Sequence, residues 1–164
     1  MSDIRKDLVK MKLAHKITEV FSALVHGQEK DKKLWDLLRS SLEKINDSDL
    51  KISGLRLRYY YFVWNLFSIM GYLPELYQCS PCRKKLQPGN LYFNAEGEGV
   101  ICEGCFSKKR EGKKISANAV KILRVLTEGK ESLMERIKIN PVDLKELQTI
   151  TEYFLENNLP SKKD

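Results

Sequence analysis

Apolar residues recur at steps of three and four along most of the chain, the spacing of helices that bury one face. The first predicted helix covers residues 3–26 and stops before Gly27. Its apolar stripe comprises Ile4, Leu8, Met11, His15, Thr18, Leu24 and Val25, widened by Ala14, Ile17 and Phe21. The second predicted helix covers residues 31–45, and its apolar side comprises Leu34, Trp35, Leu38, Leu42 and Ile45.

The third predicted helix differs because it leaves almost no polar face. It covers residues 53–70, and its apolar residues are Leu55, Leu57, Tyr59, Phe62, Val63, Trp64, Leu66, Phe67 and Ile69. A helix that is apolar all round is buried, so we expect this one at the centre of the domain. Gly71 is well placed to end it, and Pro74 cannot continue it.

Further helices are predicted in the second half of the chain. Ser116 caps the fourth, whose apolar residues are Ala117, Val120, Leu123, Val125 and Leu126. A short helix follows at residues 131–137. Asn140, Pro141 and Asp143 then form the start signal of the last helix, whose apolar residues are Leu144, Leu147, Ile150, Phe154 and Leu155.

The four cysteines of the chain form two pairs with the spacing C-x2-C-x19-C-x2-C. They are Cys79, Cys82, Cys102 and Cys105. Two residues within a pair let both sulfurs face one ion from a tight turn, and two such turns complete a tetrahedron. Zn²⁺ suits this donor set because it accepts soft sulfur ligands and has no redox chemistry. The spacing therefore predicts one zinc ion held by four thiolates.

Two disulfides, a redox-active pair and four unrelated thiols are the alternatives. Residues 1–12 alternate charged and apolar positions and show no secretory leader, which argues against disulfides. Two pairs that bracket a hairpin fit a metal better than a redox turn, and the regular spacing argues against unrelated thiols. Because four protein ligands leave no open coordination position, the predicted zinc is structural.

The predicted fold class is mainly α: a helical bundle of five to six helices with an inserted four-cysteine zinc β-hairpin module. The hairpin strands are residues 91–93 and 100–101, joined by a glycine-containing loop. We predict one domain over residues 1–164, with the zinc-binding insert at about residues 77–108. The helices on both sides of the insert need each other to bury their stripes.

Basic residues concentrate around the cysteines of this chain, which carries a net charge of +7. A cationic surface of this kind is a candidate for phosphate binding. The candidate nucleic-acid contacts are Arg83, Lys84, Lys85, Lys108, Lys109, Arg110, Lys113 and Lys114. A four-thiolate zinc centre itself carries a formal charge of −2, so a solvated surface that balances the thiolates is an equally good interpretation.

Catalytic signatures are missing from the sequence. It contains no phosphate-binding glycine loop, no nucleophile elbow and no HExxH motif. His15 and His26, the two histidines, have no nucleophile or carboxylate at a defined spacing. No apolar run is long enough to span a bilayer. We therefore predict a binding or scaffold protein that is not an enzyme.

The segment at residues 71–82 reads Gly-Tyr-Leu-Pro-Glu-Leu-Tyr-Gln-Cys-Ser-Pro-Cys, a buried helix end that runs into the first cysteine pair. This segment resembles the RecO family of DNA repair and recombination mediators. Residues 4–8, 99–105, 115–119 and 144–159 resemble further segments of that family in the same order. Arg83 stands where the family usually has glycine. This difference bears on the turn at the first cysteine pair, the first knuckle, and leaves the four ligands in place.

The resemblance implies a non-catalytic role in the bacterial cytoplasm, in association with the nucleoid. RecO-like proteins act with RecR to displace single-strand-binding protein, help to load RecA, and anneal complementary strands. Family members begin with an OB fold, a domain that binds single-stranded DNA. This chain shows no pattern of five short strands before its first helix and resembles the helical and zinc portion only.

The resemblance also implies a docking site for the acidic C-terminal tail of single-strand-binding protein, which needs an apolar pocket edged by cations. We expect it between the second and third helices, at Trp35, Arg39, Arg56, Arg58, Tyr60 and Phe62. The simpler interpretation makes the aromatic residues core and the arginines solvated. Two alternative functions stay open: a stand-alone zinc-containing nucleic-acid-binding module, and a structural domain that orients a separate OB fold.

Overall fold

The computed structural model describes residues 7–26, 31–47, 49–96 and 99–160. The elements are α1 (Leu8–Leu24), α2 (Lys32–Asp47), α3 (Ile52–Ile69), β1 (Leu91–Asn94), β2 (Gly99–Cys102), α4 (Glu103–Lys109), β3 (Lys113–Ile115), α5 (Ala117–Thr127), α6 (Glu131–Met134) and α7 (Pro141–Asn158). Helices dominate these residues, and the strands form one small sheet, which confirms the predicted mainly α fold. None of the helices described here is both long and apolar enough to cross a membrane.

Helix α3 lies at the centre of the bundle, as its apolar sequence predicts. It packs against α1, α2, α5 and α7. Trp64 is fully buried, with its ring stacked on Phe154 of α7 at 4.6 Å and its indole N–H bonded to the Thr151 hydroxyl at 3.1 Å. The helix ends at Ile69, and Gly71, with a φ of 82°, lets the chain turn away through a left-handed residue.

Asn65 is a buried polar residue on α3, and its hydrogen bonds explain its position. Its side-chain amide donates hydrogen bonds of 2.8 Å to the carbonyl of Tyr61 and to that of Leu126, at the end of α5. The last carbonyls of a helix have no partner within the helix. A buried asparagine at this position therefore satisfies a carbonyl of α5 and holds α5 against α3.

The buried face of α1 was predicted only in part: Ile17, Phe21 and Val25 of the predicted stripe are buried, but its main row is not. Leu8 and Met11 of the predicted stripe are 59% and 47% exposed, and His15 is exposed as well. The apolar residues that α1 buries are Leu13, Ile17, Val20 and Phe21. The row through Leu8 and Met11 and the row through Leu13, Ile17 and Val20 lie on nearly opposite sides of this helix, and both follow helical spacing. Periodicity alone does not say which row faces α3.

Asp7 fixes the start of α1, because its carboxylate accepts hydrogen bonds from the N–H groups of Val9 and Lys10 at 2.9 and 3.2 Å. The predicted start at residue 3 and the stop at Gly27 lie outside the described residues. The later caps are confirmed. The Ser116 hydroxyl accepts from the Ala119 N–H at the start of α5, and the Asn140 side chain accepts from the Asp143 N–H at the start of α7.

The sheet has the order β2-β1-β3 and is antiparallel throughout. The predicted hairpin of β1 and β2 is confirmed, with Leu91 opposite Cys102. On the other edge of β1, Leu91 lies opposite Ile115 of β3. Strand β3 was not predicted, because Lys113 and Lys114 are exposed and only Ile115 is buried. Phe93 points from β1 to Trp64 of α3, with ring centroids 6.1 Å apart, and joins the sheet to the bundle.

Candidate metal centre and its surroundings

The structure brings all four cysteine sulfurs into one cluster. The four Sγ atoms lie within 4.8 Å of one another, and those of Cys82 and Cys102 are 3.9 Å apart. A tetrahedral site with zinc–sulfur bonds of about 2.3 Å places its sulfurs about 3.8 Å apart. The cluster therefore matches a single four-coordinate metal ion in size and in donor chemistry.

The first knuckle is a tight turn that reverses the chain between Cys79 and Lys84. The Cys79 N–H donates to the Lys84 carbonyl, and the Arg83 N–H donates to the Cys79 carbonyl, both at 2.8 Å. Arg83 adopts φ of 59°, in the left-handed region that glycine occupies most easily. The turn thus forms with arginine at this position, although glycine suits its backbone better.

The second knuckle joins a strand to a short helix. Cys102 ends β2 and occupies the N-cap position of α4, while Cys105 lies in the first turn of that helix. The Cys102 N–H points at the Cys79 sulfur at 3.3 Å, and the Ser80 N–H donates to the Val100 carbonyl at 3.0 Å. Backbone contacts therefore align the two knuckles.

The thiols differ in their surroundings. Cys79 is fully buried, and this burial raises the pKa of its thiol. Cys82 is exposed, and the backbone N–H of Lys84 lowers its pKa to about 7. The thiolate is the form that binds metals, so Cys82 offers an available ligand near neutral pH, while Cys79 shields the inner side of the cluster.

Contacts outside the cluster fix the module in place. The rings of Tyr92 on β1 and Phe106 on α4 stack with centroids 3.6 Å apart and planes 2° apart. Lys113 on β3 places its ammonium 4.7 Å from the ring of Tyr153 on α7. Gly99 pairs with Glu75, just before the first knuckle. The stack stiffens the module itself. The module is held to the rest of the chain at Glu75, the segment we call the neck, and through Lys113 on β3.

The residues predicted to bind an acidic tail do not share one surface. Phe62 is fully buried and Tyr60 is only 4% exposed, so both belong to the core. Arg58 turns to α6 and bonds Glu131 at 2.8 Å and Glu135 at 3.2 Å. The exposed members of the predicted set are Trp35, Arg39 and Arg56.

Trp35 is half exposed and packs edge-on against Phe21 of α1 at 5.0 Å. Arg39 contacts Asp36 at 3.3 Å on the same helix. Half of Trp35 and most of the Arg39 side chain are open to solvent, so the two residues present a ring and a cation one helical turn apart on α2.

The predicted nucleic-acid contacts fall into two groups. Arg83, Lys84 and Lys85 are exposed on the first knuckle. The others lie on α4, on the residue that follows it and on β3: Lys108, Lys109, Arg110, Lys113 and Lys114. Lys108 and Lys109 occupy the last turn of α4, where cations interact favourably with the helix dipole.

Sequence reasoning missed the contact between Tyr77 and Arg124. The guanidinium carbon of Arg124, on α5, lies 4.6 Å from the centroid of the Tyr77 ring. Tyr77 stands two residues before the first cysteine. Arg124 follows 47 residues later, and no local sequence pattern marks Arg124 as its partner. Only the fold brings the two together.

The mainly helical fold, the small sheet and the four-thiol cluster define a helical domain that carries a cysteine-knuckle module. Residues 5–164 match the family model described as "Recombination protein O C terminal". The chain belongs to this family, and the resemblance to RecO is confirmed.

Curated relatives agree with this assignment. A "DNA repair protein RecO" from Caldanaerobacter subterraneus subsp. tengcongensis is 32% identical over 165 residues, which cover 98% of this chain and 64% of the relative. One from Dehalococcoides mccartyi is 39% identical over 115 residues, covering 70% of this chain and 44% of the relative. The chain thus spans about half to two thirds of the length of these relatives.

Proposed function

We propose that this chain is a non-catalytic module of a DNA repair and recombination mediator, and that Cys79, Cys82, Cys102 and Cys105 hold one structural Zn²⁺. The observation that carries the proposal is the family match over residues 5–164. Relatives that carry the name of a DNA repair protein add support. A mediator of this kind would act in the bacterial cytoplasm, at the nucleoid.

The donor set supports zinc in a structural role. Four thiols at tetrahedral spacing would fill the coordination shell of the ion. When bound, the zinc supplies a cross-link between the two knuckles. The chain's own part is to hold Cys79 in a buried position, to direct the Cys102 N–H at its sulfur, and to fix β1 against Trp64. These contacts would orient the module relative to the bundle.

The finer functions implied by the RecO resemblance are part of the same proposal. They are the binding of RecR and single-stranded DNA, the release of single-strand-binding protein, the loading of RecA and the annealing of strands. For the acidic tail of single-strand-binding protein, we narrow the site to Trp35, Arg39 and Arg56. A tail of this type needs an apolar contact flanked by cations, and these residues remain exposed.

A peptide titration tests this site. A fluorescent peptide with an acidic, apolar C-terminal sequence is titrated with the wild-type chain and with Trp35→Ala, Arg39→Glu and Arg56→Glu. We expect each substitution to weaken binding at least threefold, and the control Lys145→Glu on α7 to leave it unchanged. Arg58 is not a useful test, because its reversal would break the contacts with Glu131 and Glu135. Equal affinity in all variants contradicts the site.

A genetic exchange tests the repair function. In Bacillus pumilus, whose RecO is 26% identical to this chain over 159 residues, the matching segment is replaced by residues 1–164. We expect this hybrid to restore survival after DNA damage to a strain that lacks RecO. A hybrid with all four cysteines changed to serine should accumulate less protein and restore less survival. A stable hybrid as sensitive as the deletion strain contradicts the proposal.

A further inference from the structure

The ring of Tyr77 is a fixed and exposed platform. Arg124 places its guanidinium 4.6 Å from the ring centroid, and the same group donates two hydrogen bonds to the Leu76 carbonyl, at 2.9 Å from Nε and 2.6 Å from Nη2. The arginine is thus pinned in place and covers one side of the ring. Tyr77 is nevertheless 54% exposed, so the remaining ring surface faces solvent.

Hydrogen bonds also fix the backbone of residues 75–78, which carries this ring. The Glu75 carboxylate accepts hydrogen bonds from the N–H groups of Tyr77 at 2.7 Å and Gln78 at 3.2 Å. The Val100 N–H donates to the Glu75 carbonyl at 2.8 Å, which attaches the segment to β2. A platform fixed at ring and backbone loses little conformational entropy when a ligand binds.

Three consecutive cations run beside Tyr77. The Leu86 N–H donates to the Tyr77 carbonyl at 3.2 Å, and the Cys79 N–H donates to the Lys84 carbonyl at 2.8 Å. These bonds place the returning strand of the knuckle, with Arg83, Lys84 and Lys85, alongside the tyrosine. A groove of about 450 Å³ adjoins it, lined in part by Leu73, Pro74, Tyr77 and Arg83.

The backbone conformation of Arg83 suggests that its side chain has a binding role. Its left-handed backbone is less favourable by about tenfold or more for arginine than for glycine. Strained residues of this kind concentrate at binding sites, where the side chain performs a task. The Arg83 guanidinium is largely exposed, and its ion pair with Glu75 is long, at 3.9 Å.

We propose that the Tyr77 surface, formed by Tyr77, Arg83, Lys84 and Lys85 with Arg124 behind the ring, binds single-stranded nucleic acid. One base stacks on Tyr77, and the adjacent phosphates pair with the knuckle cations. This inference rests on the proposed repair function and assigns one of its ligands to a site. Single strands fit because a duplex keeps its base faces stacked away from solvent.

An acidic peptide is the competing occupant, and it explains less of the geometry. It would pair with the same cations and place apolar side chains in the groove beside Tyr77, but it does not by itself account for the exposed face of the ring. A flat ring that is open to solvent beside consecutive cations instead matches the alternation of base and phosphate. The Glu75 carboxylate repels anions, but its Oε1 accepts two backbone N–H groups and its Oε2 lies 3.9 Å from Arg83, so its charge is partly balanced.

The first test measures stacking. Binding of a fluorescent oligothymidine of 20 nucleotides to the zinc-loaded full chain is followed by anisotropy in about 50 mM salt. We expect Tyr77→Ala to weaken binding about 5- to 100-fold, and Tyr77→Trp to retain it. Val142→Ala on α7 is the control for loss of an exposed apolar side chain, since Val142 is 75% exposed, and it should leave affinity within twofold. Tyr77→Ala within twofold of wild type overturns the proposal.

The second test separates binding from folding. Arg83→Gly removes a cation and also relieves the backbone, so we expect stability to be kept or raised while affinity falls. The slope of log affinity against log salt should become shallower by about 0.7 for one lost phosphate contact. Lys145→Ala is the control cation on α7. Unchanged affinity and slope in Arg83→Gly overturn the role of this residue.

The remaining outcomes distinguish the occupants. We expect a duplex of equal length to lose little affinity in Tyr77→Ala. A loss equal to that of the single strand, or a Tyr77-dependent affinity for an acidic peptide tighter than that for oligothymidine, assigns the surface to another ligand and overturns the proposal. Failure of the wild-type chain to bind oligothymidine overturns it too. Restored survival by the Bacillus hybrid would then still support the repair function, so the two failures are separable.

Discussion

At the scale of single residues, Arg83 and Gly99 are two of the positions in the cysteine module that have a positive φ. Arg83 has φ of 59° and Gly99 has φ of 97°. At Gly99 a β-carbon would lie 2.3 Å from the Glu75 carbonyl oxygen, so the close approach of the neck to β2 requires glycine. At Arg83 the arginine is tolerated at a cost. The two residues therefore respond to substitution in opposite directions.

Replacement of Arg83 by glycine should stabilise the protein. The left-handed conformation costs a non-glycine residue about 1 to 2 kcal/mol, and the larger entropy of unfolded glycine offsets about half of this. We expect the free energy of unfolding of the zinc-loaded chain to rise by up to about 1 kcal/mol. Urea denaturation measures the change, and a decrease of more than about 1 kcal/mol would contradict the strain.

Replacement of Gly99 by alanine should destabilise the protein by about 3 kcal/mol, since the new methyl group has to displace backbone. Gly104 on α4 is the matched control. A β-carbon there meets nothing within 4 Å, so Gly104→Ala should be neutral or slightly stabilising. Chemical denaturation of both variants tests this, and equal midpoints would contradict the close contact at the neck.

At the scale of elements, the short helix α6 joins two longer helices through Glu131. Its carboxylate pairs with Lys44 of α2 and with Arg58 of α3. Partial burial by itself raises the pKa of Glu131, but the hydrogen bonds and charges of Lys44 and Arg58 outweigh it and hold that pKa below 4.5. The Arg58 side chain is only 15% exposed, so the pair is partly shielded from solvent.

Replacement of Glu131 by glutamine should lower the free energy of unfolding by about 1 to 2 kcal/mol at pH 7, because Arg58 then loses a charged partner. Asp36→Asn breaks an exposed pair within α2 and should cost less than about 0.5 kcal/mol. Denaturant titration of both variants makes the comparison. A cost for Glu131→Gln no larger than that for Asp36→Asn would contradict the role of α6.

The same pair predicts a pH dependence. A carboxylate whose folded pKa lies below its unfolded value stabilises the fold above the unfolded pKa, and this contribution is lost as pH falls through the folded pKa. The stability difference between wild type and Glu131→Gln should therefore be constant near neutral pH and shrink below pH 4.5. A difference that persists unchanged through that range contradicts the assignment.

Helices and strands were predictable where the residue spacing within one segment is enough to define them. Helix α3, the caps at Ser116 and Asn140, and the β1–β2 hairpin follow from local spacing. The buried face of α1 was predicted only in part, because two apolar rows compete and the choice depends on α3. Strand β3 was missed because Ile115 is the one buried residue among the three that pair with β1, so its sequence shows no apolar alternation.

At the scale of the whole molecule, contacts between distant segments decide what local pattern cannot. The spacing of the cysteines predicted the cluster, because each pair is local and the chemistry of four thiols is specific. Of the residues expected to line a pocket between α2 and α3, Tyr60 and Phe62 are buried, and Arg58 bonds Glu131, which lies 73 residues away in sequence. Arg124 makes a similar long-range contact, because it donates to the carbonyl of Leu76, 48 residues earlier in the sequence.

The cluster is also the point on which the module depends most. Strands β1 to β3 are short, and a small module of this kind gains much of its stability from a metal cross-link. Most of the hydrophobic core lies in the bundle of α1, α2, α3, α5 and α7, and the sheet adds Leu91, Phe93, Val100 and Ile115 to it. Loss of the ion should therefore loosen residues 79–115 and leave most of the bundle intact.

The most direct measurement is the metal content of the full chain, purified under reducing conditions without chelators, followed by hydrogen exchange before and after zinc removal. We predict one Zn²⁺ per chain, and removal should speed exchange in residues 79–115 much more than in α3. Zinc well below one per chain, or exchange in the module that does not change on removal, would contradict the account.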